Sequence, residues 1–156
     1  MKINLIYASF HHKNTEKVML ELGKVLEREH EVFLYDMTKG VKETGEADFT
    51  VIASGIYYRN VHKNLLQYIE LIKTEGNSPV YLFYTGGKIS EKFLDTLSSK
   101  LLEKGYNIAG KSGILGYDTY GPLKLIGGIH KECPTKEDIY SLIEDIKTSI
   151  ADFEEL

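Results

Sequence analysis

Short apolar runs alternate with amphipathic stretches along the whole chain. The runs at 2–8, 31–35, 49–54, 80–84 and about 107–115 are mostly dense in Val, Ile, Leu, Phe and Tyr, without strict polar alternation. Such runs predict strands covered on both faces. Between them, 15–29 places Val18, Leu22, Val25 and Leu26 on one helical stripe, and 61–73 does the same with Leu65, Leu66, Ile69 and Ile72. The spacing recurs at 90–104 with Phe93, Leu94, Leu97, Leu101 and Leu102, and at 136–153 with Ile139, Leu142, Ile143, Ile146 and Ile150. Each set follows the rule for a helix with one buried face. Thr135, after Pro134 and three residues before Asp138, predicts an N-terminal cap for the last helix. Gly105, just after the basic Lys104, predicts the end of the helix before it. Residues 36–48 carry no good helical stripe and predict a loop or a short turn of helix.

Strand–helix alternation implies parallel strands joined by right-handed crossovers. The expected fold is therefore α/β: an open, doubly wound five-stranded parallel sheet of order 2-1-3-4-5 with helices on both faces. The chain of 156 residues suits one domain, 1–156, with enough length for a proper core. A net charge of -4 and the absence of a Lys/Arg-rich run speak against a nucleic-acid partner. No segment approaches the roughly 18 uninterrupted apolar residues of a membrane span. The first apolar run is too short for the core of a signal peptide. Cys133 is the only cysteine, which leaves no internal disulfide or multi-cysteine metal site within one chain. The expected setting is reducing and cytoplasmic.

Ligands in such sheets sit at the carboxyl ends of the strands, beside the switch in strand order. Three strands end there in similar chemistry: Y-A-S after the first, I-A-S-G after the third and F-Y-T-G-G after the fourth. Ser9, Ser54 and Thr85 supply hydroxyls, and Gly55, Gly86 and Gly87 allow close approach to the backbone. Small residues at strand ends also simply turn chains, so any one loop alone is ambiguous. Their coincidence at one edge favours a binding site. Neither a G-x-x-x-x-G-K-[ST] nor a G-x-G-x-x-G loop follows the first strand. Ser9 and Ser54 stand where a phosphorylation receiver needs carboxylates, which argues against that switch. His11, His12 and His62 have no third ligand in local spacing, so a metal site there is weakly supported.

Against this background, S-F-H-H-K-N-T at 9–15 resembles the flavodoxin phosphate loop, [ST]-x-[ST]-G-N-T, with Lys13 in place of the glycine. S-G-I-Y-Y-R-N-V-H-K at 54–63 resembles the second flavin loop of small bacterial flavodoxin-domain proteins, and is also similar to that of flavodoxin-like protoporphyrinogen oxidases. G-Y-D-T-Y-G-P-L-K-L-I-G-G-I-H-K at 116–131 is similar to the segment before their last helix. The resemblance implies a flavodoxin-like three-layer sandwich that holds non-covalent FMN. Its phosphate would lie on Ser9, His11, His12, Lys13, Asn14 and Thr15, at the opening of the first helix, where free N–H groups and the helix dipole favour an anion. Ser54, Gly55, Tyr57, Tyr58, Arg59 and Asn60 would meet the ring, with one of the two tyrosines stacking on it. In the family a peptide of this loop turns toward the flavin on reduction, and Asn60 is the residue here most tolerant of positive φ. Thr85, Gly86, Gly87 and Lys88 would bound the pyrimidine edge, and Tyr117, Asp118 and Tyr120 could form a lip. The implied function is electron transfer with redox partner proteins or a small-molecule acceptor. Alternatives are an FMN-dependent reductase or oxidase acting on a quinone or related molecule, and a domain that kept the fold and lost FMN.

Overall fold

The computed structural model describes residues 1–10, 12–73, 78–119 and 121–156. Strands β1 (Lys2–Ala8), β2 (Glu31–Asp36), β3 (Phe49–Tyr57), β5 (Pro79–Gly86) and β6 (Asn107–Leu115) form a parallel sheet in the order β2-β1-β3-β5-β6. This is the expected 2-1-3-4-5 arrangement. An unforeseen two-residue strand, β4 (Asn60–Val61), pairs antiparallel with the end of β3.

Helices α1 (Asn14–Leu26), α2 (Lys63–Leu71), α3 (Asp95–Glu103) and α4 (Lys136–Glu154) cover the sheet. On one face Ile3, Leu5 and Tyr7 of β1 pack with Val18 and Leu22 of α1 and Leu142 and Ile146 of α4. On the other, Ile6 and Ala8 pack with Leu65 and Ile69 of α2 and Leu97 and Leu101 of α3. Successive residues of one strand thus enter two apolar layers, which is why the strand runs lack polar alternation.

The punctuation behaves as chemistry dictates. Thr135 and Asp138 form a reciprocal capping box at the start of α4. Gly105 takes φ +88 just beyond α3, a conformation that favours glycine. Residues 41–47 between β2 and β3 carry no regular structure, as the missing stripe implied. The helix expected at 90–104 starts instead with a 3-10 turn, Glu91–Leu94, and a second such turn, Gly121–Ile126, precedes α4. Among the described residues no helix is long and apolar enough to cross a membrane.

Candidate functional site

Register fixes the floor of the site. Ala8 lies beside Ser54, Gly55 beside Thr85, and Gly86 beside Leu115, so the carboxyl ends of four strands finish together. Above them opens a cavity of about 920 Å³. Its lining includes Gly55, Tyr57, Tyr58 and Arg59 from the β3–β4 hairpin, and Thr85 to Lys88 from the end of β5. Phe10 and Asn14 close one end, and Tyr117, Asp118, Thr119, Leu123, Lys124 and Ile129 form the far wall. The wall is fixed by a bridge between Asp118 and Ile129, whose backbones exchange two hydrogen bonds.

The buried hydroxyls brace this floor. Thr15 and Thr85 share a hydrogen bond of 2.8 Å between their Oγ1 atoms, tying the start of α1 to the end of β5. Ser9 Oγ accepts the N–H of Glu16 at 3.1 Å, and Ser54 Oγ accepts that of His62 at 2.9 Å while donating to the Gly55 carbonyl. Asn14 donates to the Tyr117 carbonyl at 2.9 Å. Gly116 makes that possible, since a Cβ there would lie 2.5 Å from Asn14 Nδ2.

The phosphate-loop stretch has no glycine, yet Lys13 holds φ 54 and His12 φ 57, the left-handed region that glycine favours. Lys13 is the N-cap of α1 and gives no side-chain cap. Its Nζ instead donates to the Ser9 carbonyl at 3.0 Å. His12 bonds Thr119 Oγ1 through Nε2 at 2.9 Å, with its ring centroid 3.9 Å from that of Tyr117. His11 lies outside the described residues, as does Tyr120.

The two tyrosines separate clearly. Tyr57 turns inward, its hydroxyl accepting the Phe10 N–H at 2.6 Å and its ring edge-on to Phe10 and His62. Gly55 leaves the room, because a Cβ there would meet the Tyr57 hydroxyl at 2.6 Å. Burial pushes the Tyr57 phenol upward, and the Phe10 N–H partly offsets this. Tyr58 stands at the hairpin tip, 86% exposed, on the cavity's edge.

The hairpin corrects one sequence expectation. Positive φ falls on Tyr58 (51) and Arg59 (63), the two central residues of the turn, whereas Asn60 belongs to β4. Asn60 points its amide toward Thr96 and accepts the Val61 N–H, and it does not line the cavity. Ser9, His12, Lys13, Thr15 and Ser54 likewise stand behind or beside the lining. Asn14, Gly55, Tyr57, Tyr58, Arg59, Thr85, Gly86, Gly87 and Lys88 are brought together on it. Phe10, Ile56, Leu123, Lys124 and Ile129 also line it without having been singled out from the sequence, as does Phe93, which the sequence placed only on a helical stripe. Apolar residues after a strand carry no signal of their own until the fold aims them.

The chain is 34% identical over 151 residues to an uncharacterised protein of Methanocaldococcus jannaschii, covering 95% of this chain and 97% of that one. The chain belongs to that protein's family, and it is flavodoxin-like. The flavodoxin of Fusobacterium nucleatum, solved bound to flavin mononucleotide, superposes with a TM-score of 0.65 at 18% identity, over 94% of this chain and 97% of that one. Rubredoxin oxygen:oxidoreductase of Desulfovibrio gigas gives 0.71 at 17% identity over 99% of this chain. The flavodoxin-like chain spans only 36% of that protein's length. No protein-family profile matches it.

Proposed function

We propose that this flavodoxin-like chain binds FMN non-covalently in the 920 Å³ cavity and transfers electrons between redox partners. The observation that carries this reading is one enclosure with three suitable ends: a helix N-terminus, an exposed aromatic tip and a backbone edge rich in glycine. The volume falls in the usual range for small-molecule and cofactor sites, roughly 300–1,000 Å³.

The residues present fit the group. At the opening of α1, a helix of 13 residues, the N–H groups of Asn14 and Thr15 have no acceptor within the helix. They and the helix dipole suit a phosphate, and the charge of Lys13 adds to them. Ser9 spends its hydroxyl on Glu16 and so shapes the cradle from behind. Tyr58 supplies a flat face for a ring, while Tyr57 holds the loop that carries it. The N–H groups of Gly86 and Gly87 and the ammonium of Lys88 edge the other side. When bound, the flavin supplies the one- and two-electron chemistry, for which the protein provides position, shelter from water and a partner surface.

Visible absorbance during an FMN titration of the purified protein tests this reading. Oxidised-flavin bands that shift on saturable binding are expected, and Tyr58→Ala should weaken the affinity about tenfold, from lost stacking and area. A protein that stays colourless in excess FMN overturns the proposal. Steady NAD(P)H turnover with a quinone by this chain alone would favour an enzyme over a carrier.

A further inference from the structure

The charge of the cavity's rim is opposite to that of the chain. The described residues of the loops around it, 10, 12–13, 55–60, 85–88, 117–119 and 121–132, contain five cations, Lys13, Arg59, Lys88, Lys124 and Lys131, against the carboxylates Asp118 and Glu132. These loops therefore total +3 within a chain of net -4. The rest of the chain then carries -7. All five cations are exposed; Arg59, Lys88 and Lys124 line the cavity, whereas Lys13 Nζ lies 3.9 Å from the carboxylate of Glu16 on α1. Between them stand large apolar side chains open to solvent: Tyr58 at 86%, Leu125 at 89%, Ile126 at 71% and Ile89 at 55%. Exposed apolar residues scattered singly mean nothing, but Tyr58 lines the cavity, and Ile89, Leu125 and Ile126 follow directly on its lining residues Lys88 and Lys124.

We propose that this rim is a docking surface for an acidic electron-transfer protein. The inference rests on the flavin reading for the partner's redox character, and on charge complementarity for its sign. Cations interleaved with exposed apolar side chains on the same loops match the usual anatomy of a transient interface, in which apolar contacts give affinity and peripheral charges steer encounter. A protein fits better than a nucleic acid. The three cations on the lining, Arg59, Lys88 and Lys124, come from three separate loops instead of forming a stripe, and the -7 elsewhere repels an extended polyanion that reaches past the rim.

Two probes of opposite charge test the surface: a plant-type ferredoxin, which is acidic, and a cytochrome c, which is basic. Association is followed by surface plasmon resonance at about 0.02 M and about 0.2 M salt, a range over which the screening length falls several-fold. Ferredoxin should bind, with its on-rate falling on the order of tenfold at the higher salt. Lys124→Glu/Lys131→Glu should reduce the low-salt on-rate by a similar factor. Lys24→Glu/Lys147→Glu, which changes net charge equally but lies on α1 and α4, should leave it nearly unchanged. Stronger binding of cytochrome c, equal losses in the two double variants, or equally tight binding of a DNA oligomer would each overturn the proposal. The measurement is made with and without added FMN. Failure to bind FMN with ferredoxin docking intact sinks the flavin reading alone; FMN binding without docking sinks the surface.

Discussion

Among the described residues, five other than glycine hold positive φ: His12, Lys13, Tyr58, Arg59 and His130. All belong to the loops of one cavity. His12 bonds Thr119 of its wall, and His130 Nε2 lies 3.1 Å from the carbonyl oxygen of Gly87 on its lining. The left-handed conformation costs roughly 1–2 kcal/mol for an ordinary L-residue, and such strain gathers at functional sites. Arg59→Asn should therefore raise stability by about 0.5–1 kcal/mol, because asparagine suits this turn position without glycine's extra entropy. A lower melting temperature for that variant would show that the arginine side chain is contributing a contact that outweighs its backbone cost. The Thr15–Thr85 pair allows a sharper test. Each threonine is buried, at 1% and 4% exposure, so removing one hydroxyl strands the other. Thr15→Val alone should cost about 1–2 kcal/mol in urea unfolding, and the double variant with Thr85→Val less than the sum of the two singles. Strict additivity would mean that the two hydroxyls are not energetically coupled.

Helix α2 illustrates how an element's end can be made sensitive to pH. His62 is its N-cap, and its Nδ1 accepts the Asn64 N–H at 3.0 Å, which requires that nitrogen to be unprotonated. Burial, and then the neighbouring Lys63, push the His62 pKa below its ordinary value. With the folded value depressed, the unfolded chain binds the proton more tightly. This contribution to stability is complete above about pH 6.5 and is lost as pH falls through the lower folded value. His62→Asn keeps a good cap without the titration. Between pH 7 and pH 5 the wild type should lose more stability than His62→Asn in paired denaturant curves. Parallel losses would show that the cap does not titrate with the fold. At this scale the sequence was legible wherever periodicity and cap chemistry agree: α4 with Thr135 and Asp138, and the strands whose apolar runs enter both layers. It was not legible at β3–β4. A tight hairpin normally signals itself through Asn or Gly, and here Tyr58 and Arg59 occupy the turn. Tyr57 and Tyr58 were indistinguishable as neighbours, and only the room left by Gly55 separates them.

The whole molecule has two unlike ends. At the carboxyl ends of the strands the hairpin, the loop after β5 and the segment before α4 enclose the 920 Å³ cavity. At the amino ends lies a larger, more polar groove of about 1670 Å³, bounded by Asn4, Thr50, Tyr68 and the irregular residues 41–48, where the crossover between β2 and β3 has no helix. Volume alone would choose the groove. Chemistry chooses the cavity, because the hydroxyl-braced strand ends, the N-terminus of α1 and the strained turns all meet there. Hydrogen exchange distinguishes the two ends. FMN at 100 times its dissociation constant should stabilise the folded state by about 2.7 kcal/mol. Amides that exchange only through global unfolding, such as those of β1 and β3, should slow accordingly. Amides at 57–60, 85–88 and 121–129 should slow as well, because the ligand itself holds those loops closed. Residues 41–48 exchange through local opening that leaves the distant cavity intact, so their rates should not change. Protection of 41–48 as strong as that at 57–60 would place the ligand in the amino-end groove and overturn the assignment of the cavity.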